Sequence, residues 1–304
     1  MSMRVFVTGA TGYLGSAIAI RLARAGHEVR GLGRNEDRAA ALGAARVTPL
    51  LGDLAQPESY LAELKNSDAV VHAAFDATAP SQQDQRALEA IRAAAQDGRV
   101  RRLLYTSGVW VHGDTGGRVV DETAPLDPAE LVAWRTAHEE VALSLAAYEV
   151  EVAIFRPGVV YGETRGVLGA WFREAKEKGT VTTPGNGLQH WSMVHRDDVA
   201  EAYLLGLEHA GGGERYILTD ETRFTVRELA EAVARATGAR VRSRARDEVL
   251  KAKGTYGAAL LMDQQFTSAK ARRELGWVPS HTSFVAEAEA LHREWLAGRK
   301  AKVG

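Results

Sequence analysis

The chain has 304 residues, with 38 Lys and Arg against 39 Asp and Glu. Its formal net charge of −1 excludes the basic surface of a protein that neutralises many phosphates, so no nucleic-acid partner is predicted. The sequence contains no Cys, which excludes disulfides, thiol nucleophiles, iron–sulfur clusters and zinc sites that use Cys.

The N-terminus reads directly into an apolar run, without the charged, apolar and cleavage regions of a secretory signal. No apolar run reaches the roughly 18 residues that span a bilayer. We therefore expect a cytoplasmic protein with no membrane partner. Two lobes are expected, because cores beyond about 250–300 residues usually split.

Short β-branched runs alternate with longer Ala-rich stretches through the first half of the chain. The predicted strands are residues 4–8, 28–33, 46–51, 69–73, 102–106 and 150–155. The helices predicted between them include residues 13–25, 82–96 and 128–148. Such alternation is typical of parallel strands joined by crossover helices. It predicts an α/β fold with a doubly wound parallel sheet.

The pattern changes after residue 158. Predicted there are a loop-rich stretch 180–187, an apolar helix ending at 209, a strand 215–218, a helix 225–237 opened by a capping box, and a final helix near 284–296. The predicted domains are a dinucleotide-binding unit, residues 1–160 plus about 190–219, and a substrate unit, about 161–189 and 220–304.

A glycine-rich turn separates the first predicted strand from the first helix. It reads Thr8-Gly9-Ala10-Thr11-Gly12-Tyr13-Leu14-Gly15. Glycines permit a tight turn and a close approach to a pyrophosphate, and the following helix N-terminus offers free N–H groups. In an opening strand–turn–helix unit, the turn predicts a dinucleotide site rather than only a packed connection.

The residue type that follows the second strand helps to distinguish an NAD(H) site from an NADP(H) site. Arg34 stands where a carboxylate would bind the ribose hydroxyls of NAD(H), and a guanidinium suits a 2′-phosphate. We therefore predict NADP(H), with NAD(H) as the alternative cofactor and a solvated Arg34 as the structural alternative. After the third strand, Asp53 is either an acceptor from the adenine amino group or a helix cap.

Motifs along the whole chain resemble those of the extended short-chain dehydrogenase/reductase family, which includes NAD-dependent epimerases and dehydratases. Besides the glycine turn, the matching segments are Gly52-Asp53-Leu54, Val71-His72-Ala73-Ala74, Tyr105-Thr106-Ser107, Asp121-Glu122-Thr123 and the stretches 156–162, 194–200 and 271–279. The resemblance implies a Rossmann-type domain with a smaller, mainly C-terminal substrate domain, a small-molecule substrate in the cleft between them, and a homodimer. The cofactor-binding residues that follow from it are Gly9, Thr11, Gly12, Tyr13, Leu14, Gly15, Arg34, Asp53, Leu54, Ala73, Ala74, Phe75, Thr106, His138, Pro157, Gly158 and Val160.

The catalytic motif departs from the family pattern. Family members usually carry a Ser or Thr after the fifth strand and a Tyr-x-x-x-Lys on the next helix, where Tyr exchanges the proton and Lys holds the nicotinamide ribose. By spacing, these three positions fall on Gly108, Trp134 and His138. No Lys occurs between Lys65 and Lys176, so no shifted alignment restores the motif.

Five side chains are candidates for the missing proton chemistry: His138, Ser107, Trp134, Tyr161 and His112. His138 titrates in a suitable range and can also donate to ribose hydroxyls, or it is an ordinary helix histidine. Ser107 adjoins the vacated hydroxyl position, or it satisfies backbone groups. Trp134 has an indole donor but no proton to exchange near neutrality. His112 and Tyr161 either reach the cleft or pack between elements.

No spacing of His and carboxylates predicts a metal site. The turn 184–187 lacks the following Arg with which related enzymes hold a nucleotide-sugar diphosphate, which favours an apolar or aromatic substrate near Trp171 and Trp191. The main hypothesis is an NADP(H)-dependent oxidoreductase acting on a small organic substrate with a non-standard proton donor. The alternatives are a catalytically silent NADP(H)-binding sensor and a nucleotide-sugar epimerase or dehydratase.

Overall fold

A computed structural model describes residues 2–300. The strands are β1 Arg4–Thr8, β2 Glu28–Gly33, β3 Thr48–Leu51, β4 Ala69–His72, β5 Arg102–Thr106, β6 Val119–Val120, β7 Glu151–Pro157, β8 Val159–Tyr161, β9 Thr180–Pro184, β10 Met193–His195, β11 Glu214–Leu218, β12 Arg240–Arg244 and β13 Gln265–Phe266. The α-helices are α1 Tyr13–Arg24, α2 Glu36–Gly43, α3 Leu61–Lys65, α4 Pro80–Asp97, α5 Trp134–Leu143, α6 Gly166–Lys178, α7 Arg196–His209, α8 Val226–Thr237, α9 Arg246–Leu260, α10 Ala269–Leu275 and α11 Phe284–Lys300. Short 3-10 helices cover Pro57–Ser59, Val109–His112, Glu130–Val132 and Ser144–Tyr148.

Seven strands form one parallel sheet in the order β11-β7-β5-β4-β1-β2-β3. The chain leaves β1 toward one side of the sheet and later returns to β4 on the other side. The strand order therefore reverses between β1 and β4, and ligands of such sheets bind at the carboxyl ends of the strands at this point. The predicted fold class is confirmed.

Alternating side chains of β1 enter two cores, one on each face of the sheet. Val5 and Val7 belong to the core that includes residues of α1, α7 and α10. Phe6 points to the opposite core, with residues of α3, α4 and α5. A third core joins α6, α8 and α11, and it contains Trp171 and Trp191. This third core contains no residue of the seven-stranded sheet.

The predicted capping box of α8 is confirmed. Thr225 accepts from the Glu228 N–H at 3.3 Å, and Glu228 accepts from the Thr225 N–H at 2.8 Å. Within residues 2–300, no helix combines the length and the apolar character needed to cross a membrane.

Two local predictions were wrong. Residues 180–187 were expected to be a loop, but their first part is β9, which pairs in parallel with β12. The partner strand lies far along the chain, so the local pattern does not show the pairing. Residues 128–148 were expected to be one helix, but α5 starts at Trp134 and short 3-10 segments flank it.

Candidate active site

The glycine turn between β1 and α1 is packed too tightly to admit side chains at its glycines. Gly9 has a φ of +68°, in the left-handed region that favours glycine, and a Cβ there would lie 2.7 Å from Ala74 Cα. A Cβ at Gly12 or Gly15 would lie 2.9 Å or 2.3 Å from the Gly9 carbonyl oxygen. The Gly12 N–H donates to this carbonyl at 2.8 Å and closes the turn.

Helix α1 presents its N-terminus at this turn without a competing side chain. Gly12 is the N-cap residue, no side chain caps the helix, and its first turn contains no acidic residue. The free backbone N–H groups and the positive end of the helix dipole are therefore available to a phosphate. The turn fits the pyrophosphate of a dinucleotide.

Neighbouring elements hold the turn from two sides. A Cβ at Gly33, at the end of β2, would lie 2.3 Å from Thr11 Cγ2, so the glycine leaves room for Thr11. On the other side, the Tyr13 hydroxyl donates to the Gly162 carbonyl at 2.8 Å, and Arg196 Nε donates to the Tyr13 carbonyl at 2.7 Å. The position of the turn thus depends on β2 and on the segments that lead into α6 and α7.

Arg34 follows β2 and has a 62% exposed side chain that pairs with Asp76 at 2.9 Å. The Thr78 N–H donates to the Asp76 carboxylate at 2.8 Å and lowers its pKa below the ordinary value. Asp53 Oδ1 accepts from the Ala55 N–H at 2.9 Å, so this carboxylate closes a local turn. Arg34 and Asp53, the two side chains predicted to contact the adenosine half of the cofactor, thus each already have a partner in the protein.

A cavity of about 360 Å³ opens at the carboxyl edge of the sheet beside the glycine turn. Of the predicted site residues, its wall contains Tyr13, Leu14, Phe75, Thr106, Ser107, Pro157, Gly158 and Val160. The rest of the wall is formed by Gly108, Val109, Trp110, Leu131, Val132, Arg135, Val159, Gly166 and Val167. The predicted residues that lie off this wall are Gly9, Thr11, Gly12, Gly15, Arg34, Asp53, Leu54, Ala73, Ala74, His112, Trp134, His138 and Tyr161.

Ser107 lies on the cavity wall with a free hydroxyl. Its N–H donates to the Phe155 carbonyl at 2.8 Å, which extends the pairing of β5 with β7. The side chain is buried, and its Oγ has no hydrogen-bond partner among residues 2–300. At Gly108, the usual hydroxyl position, a Cβ would meet only the Pro157 carbonyl at 3.8 Å. Ser107 therefore offers a hydroxyl beside the position at which the family normally places one.

Trp134 and His138 pack behind the cavity wall. His138 Nδ1 lies 2.7 Å from Asp84 Oδ2, and its Nε2 lies 3.4 Å from Ser81 Oγ, so α4 binds both ring nitrogens. The Trp134 ring stands edge-on to the His138 ring, with centroids 4.9 Å apart. Trp134 Nε1 is buried and has no hydrogen-bond partner in the described part of the chain.

Asp84 is the centre of a buried polar network. Besides its contact with His138, it accepts from the Tyr105 hydroxyl at 2.8 Å and from His72 Nε2 at 3.0 Å. His72 Nδ1 in turn lies 2.8 Å from Thr8 Oγ1. Burial alone would raise the pKa of Asp84, but hydrogen bonds from His138 and His72 outweigh it and hold the pKa well below its ordinary value. The carboxylate is therefore ionised.

Sequence reasoning missed Asp84, although a signal for it exists. Asp84 shares the buried stripe of α4 with Ala87 and Leu88, three and four residues further on. A carboxylate inside an apolar stripe needs buried donors, because an unpaired buried charge is costly. The identity of those donors depends on β4, β5 and α5 and is not visible locally.

Arg135 is the charged residue of the cavity wall, and sequence reasoning also missed it. Its Nη1 donates to the Thr106 carbonyl at 2.9 Å. The guanidinium carbon lies 4.5 Å from the Trp134 ring centroid and 5.7 Å from that of Phe75. Apart from its place next to the altered motif, nothing in the sequence distinguishes this arginine from a surface residue.

His112 and Tyr161 occupy packing positions, the second of the two alternatives given for them from the sequence. His112 Nε2 lies 3.0 Å from an Arg156 nitrogen, and burial together with the Arg156 charge lowers the pKa of His112 to about 4. Tyr161 packs edge-on against His195 with centroids 5.1 Å apart, and burial raises the pKa of its phenol above the ordinary value. Neither side chain lines the cavity.

A second cavity of about 360 Å³ is lined mainly by residues of α6, β9 and α9 and shares Gly166 and Val167 with the first. Trp171 and Trp191 stack on its wall, with centroids 5.4 Å apart. Their indole N–H groups donate to backbone carbonyls, each at 3.1 Å. The pair therefore contributes aromatic surface rather than free donors.

The fold also brings together three side chains that could bind a metal ion, a cluster that their spacing in the sequence did not predict. Ligand atoms of His195, Asp197 and His281 all lie within 4.8 Å of one another. His195 Nδ1 accepts from the Asp197 N–H at 3.2 Å as the cap of α7, and His281 pairs with Glu287 at 2.5 Å. Metal binding here would compete with both contacts.

Comparison with known proteins agrees with this geometry. The NAD dependent epimerase/dehydratase family matches residues 5–218. An uncharacterized protein of Schizosaccharomyces pombe is 32% identical over 295 residues, which cover 94% of this chain and 98% of that protein. A 4-hydroxy-2-methyl-3-oxo-4-farnesyl-3,4-dihydroquinoline-1-oxide ketoreductase of Stigmatella aurantiaca is 31% identical over 230 residues, 72% of this chain and 68% of that protein. A dTDP-glucose 4,6-dehydratase of Streptomyces venezuelae, solved with NAD bound, shares the fold with a TM-score of 0.85 at 23% identity over 98% of each chain.

Proposed function

The chain belongs to the NAD dependent epimerase/dehydratase family, and from this premise we propose that it is an NADP(H)-dependent oxidoreductase acting on a small, largely apolar organic substrate. One observation carries the proposal. Tyr13 and Leu14 of the glycine turn line the same apolar cavity as Ser107, whose buried hydroxyl has no hydrogen-bond partner among the described residues. The cavity therefore adjoins both the dinucleotide turn and a hydrogen-bond donor for a substrate.

The residues that would hold the cofactor are those of the glycine turn, together with Arg34. When bound, the nicotinamide supplies or accepts a hydride. Arg34 supports NADP(H), because a guanidinium at the end of β2 can bind a 2′-phosphate. Asp76 now neutralises this guanidinium at 2.9 Å and would have to share it with the phosphate.

The chain's own residues divide the remaining work. Ser107 would donate a hydrogen bond to the substrate oxygen, and the apolar wall would exclude water. His138 would act as a positioning residue behind the wall, because its Nδ1 lies 2.7 Å from Asp84 Oδ2, its Nε2 lies 3.4 Å from Ser81 Oγ and its ring is off the wall. Because no Tyr stands on the wall at the motif position, a substrate that needs little acid assistance suits the site.

The activity for which one relative is named supports a reductive direction. That relative is named as a ketoreductase, and it is 31% identical to this chain over 230 residues. We extend to this chain only the class of chemistry, the reduction of a carbonyl or a conjugated double bond.

The test is a titration with NADPH and NADH, followed by a screen for NADPH oxidation across carbonyl, imine and enone substrates. We expect binding of NADPH and turnover with at least one class. His138→Gln should lower turnover, whereas His209→Gln, a change of the same kind at an exposed residue of α7, should not. A protein that oxidises NADPH with none of these substrates would not support the proposal.

A second candidate function is a catalytically silent sensor of the NADP+/NADPH ratio. It is favoured by the position of Trp134 and His138 off the cavity wall. It predicts binding of a partner that depends on the cofactor, without turnover. Substrate-dependent oxidation of NADPH that is lost in Gly12→Asp would exclude it.

A further inference from the structure

We propose that Arg135 is the anion-binding residue of the cavity and that the substrate carries a carboxylate on a flat apolar body. The proposal rests on the proposed function in treating the cavity as the reaction site. It adds the substrate class and names a specificity residue that lies beside the altered motif.

Arg135 is a buried charge that forms no ion pair within the described part of the chain. Its residue surface is 9% exposed, and no carboxylate of residues 2–300 forms an ion pair with it. The Arg135 charge helps to lower the pKa of Asp84, but the Asp84 oxygens are hydrogen-bonded to Tyr105, His72 and His138 and not to Arg135. A buried cation of this kind is costly unless an anion meets it.

A second buried arginine of the same protein shows the usual solution. Arg156 is 0% exposed and binds both oxygens of Glu139, at 3.1 Å and 2.5 Å. Its remaining nitrogen lies 3.0 Å from His112 Nε2. Arg156 lies off the cavity wall and binds partners through all three guanidinium nitrogens, whereas Arg135 lies on the wall and, among residues 2–300, donates only to the Thr106 carbonyl. The arginine that lacks a carboxylate partner is the one that lines the cavity. We therefore infer that an anionic ligand in the cavity supplies that partner.

Two further buried donors in this region lack a partner within residues 2–300: Ser107 lies on the wall, and Trp134, next to Arg135 in the sequence, lies behind it. The Ser107 hydroxyl and the Trp134 indole N–H are buried and have no hydrogen-bond partner among the described residues. The guanidinium carbon lies over the Trp134 ring at 4.5 Å and over the Phe75 ring at 5.7 Å from the centroids. Ring contacts of this kind leave the guanidinium N–H groups free to bind a carboxylate through two parallel hydrogen bonds.

The rest of the wall defines the body of the ligand. It is formed mainly by aliphatic and aromatic side chains, among them Val109, Trp110 and Val132. A volume of about 360 Å³ is at the small end of the range for ligand pockets. A compact, apolar acid satisfies both the wall and the cation.

The experiment compares trans-cinnamate with its neutral amide, cinnamamide, by isothermal titration calorimetry, with and without saturating NADP+. For the unaltered protein we expect cinnamate to bind at least about tenfold more tightly than cinnamamide. In Arg135→Gln this preference should fall by about tenfold, so that acid and amide bind about equally. Arg135→Lys, which keeps the charge without the planar fork, should give an intermediate value. Arg92→Gln, at an exposed residue of α4, is the matched control and should bind as the unaltered protein does.

Several results would overturn the proposal. They are equal binding of acid and amide, no binding of either, or an unchanged preference in a folded Arg135→Gln protein. If that variant fails to fold by circular dichroism, Ser107→Ala decides, with an expected loss of at least about threefold for cinnamate. Binding of NADP+ without a preference for the acid removes the inference alone. An acid preference that depends on Arg135 in a protein that binds no dinucleotide removes the proposed function and keeps the anion site.

Discussion

His138 Nδ1 lies 2.7 Å from Asp84 Oδ2, and this contact commits the residue at the family's lysine position to helix α4. The imidazole does not line the cavity, whereas the neighbouring Arg135 does. The charged side chain on the cavity wall, Arg135, therefore stands three positions before the family's lysine position on α5. The consequences can be measured at several residues.

Asp84→Asn should destabilise the protein by about 3–5 kcal/mol, because breaking a buried charged network leaves its donors unpaired. The measurement is urea unfolding near neutral pH. The pKa of Asp84 is lowered in the folded state, so its stabilisation is fully present above the ordinary carboxyl pKa and declines only as the pH falls below it. Asp97→Asn, at the exposed end of α4, should change stability by less than about 0.5 kcal/mol. Equal effects of the two substitutions would contradict the network.

Gly12→Ala should weaken NADPH binding by at least about tenfold, because its Cβ would press on the Gly9 carbonyl at 2.9 Å and deform the phosphate turn. Fluorescence titration of NADPH measures the effect. Gly43→Ala is the matched control, since a Cβ there meets nothing within 4 Å. Its expected result is unchanged binding with a stability equal to or slightly above that of the parent. Normal NADPH affinity in Gly12→Ala would place the phosphates elsewhere.

Arg34→Gln should raise the dissociation constant of NADPH by about tenfold and leave that of NADH unchanged. Asp76→Asn should have the opposite effect on NADPH, because it frees the guanidinium that Asp76 now holds at 2.9 Å. Both titrations should be run at two salt concentrations, since an exposed phosphate contact weakens with salt. Parallel changes for NADPH and NADH would show that Arg34 does not read the 2′-phosphate.

Asp220 and Asp121 make the same local turn in different surroundings. Asp220 accepts from the N–H and hydroxyl of Thr222, and Asp121 does the same with Thr123. Burial raises the pKa of Asp220 to about 6, whereas hydrogen bonds from Thr123 lower the pKa of exposed Asp121.

A raised carboxyl pKa means that folding favours the protonated form, so the Asp220 contribution is most favourable below pH of about 4 and is lost as the pH rises through about 6. Asp220→Asn should therefore stabilise the protein by about 2 kcal/mol near pH 8 and leave it unchanged near pH 4. Asp121→Asn should produce no such gain. Thermal unfolding at both pH values checks this, and a gain of the same size at each pH would argue against a titrating Asp220.

The sheet could be predicted from sequence because each parallel strand is a local run of apolar residues followed by a turn. The glycine turn was likewise visible, since its three glycines follow β1 directly. The polar network around Asp84 was not, because its donors come from β4, β5 and α5 and meet only in the folded chain. Arg135 was missed for a related reason. A lone arginine in a sequence is usually exposed, and only the folded structure shows that this one is buried on the cavity wall. The strand β9 was missed because it pairs with β12, which lies far along the chain, so the local sequence does not show the pairing.

The hydrogen bond from Tyr13 to the Gly162 carbonyl has a consequence for the order in which the protein matures during synthesis. The glycine turn is among the first segments to leave the ribosome, but its bracing groups, Gly162 and Arg196, are made much later. A nascent chain that ends before them contains the complete phosphate motif without its supports. The first recognisable motif of the chain thus reaches its working shape only after residue 196 has been made.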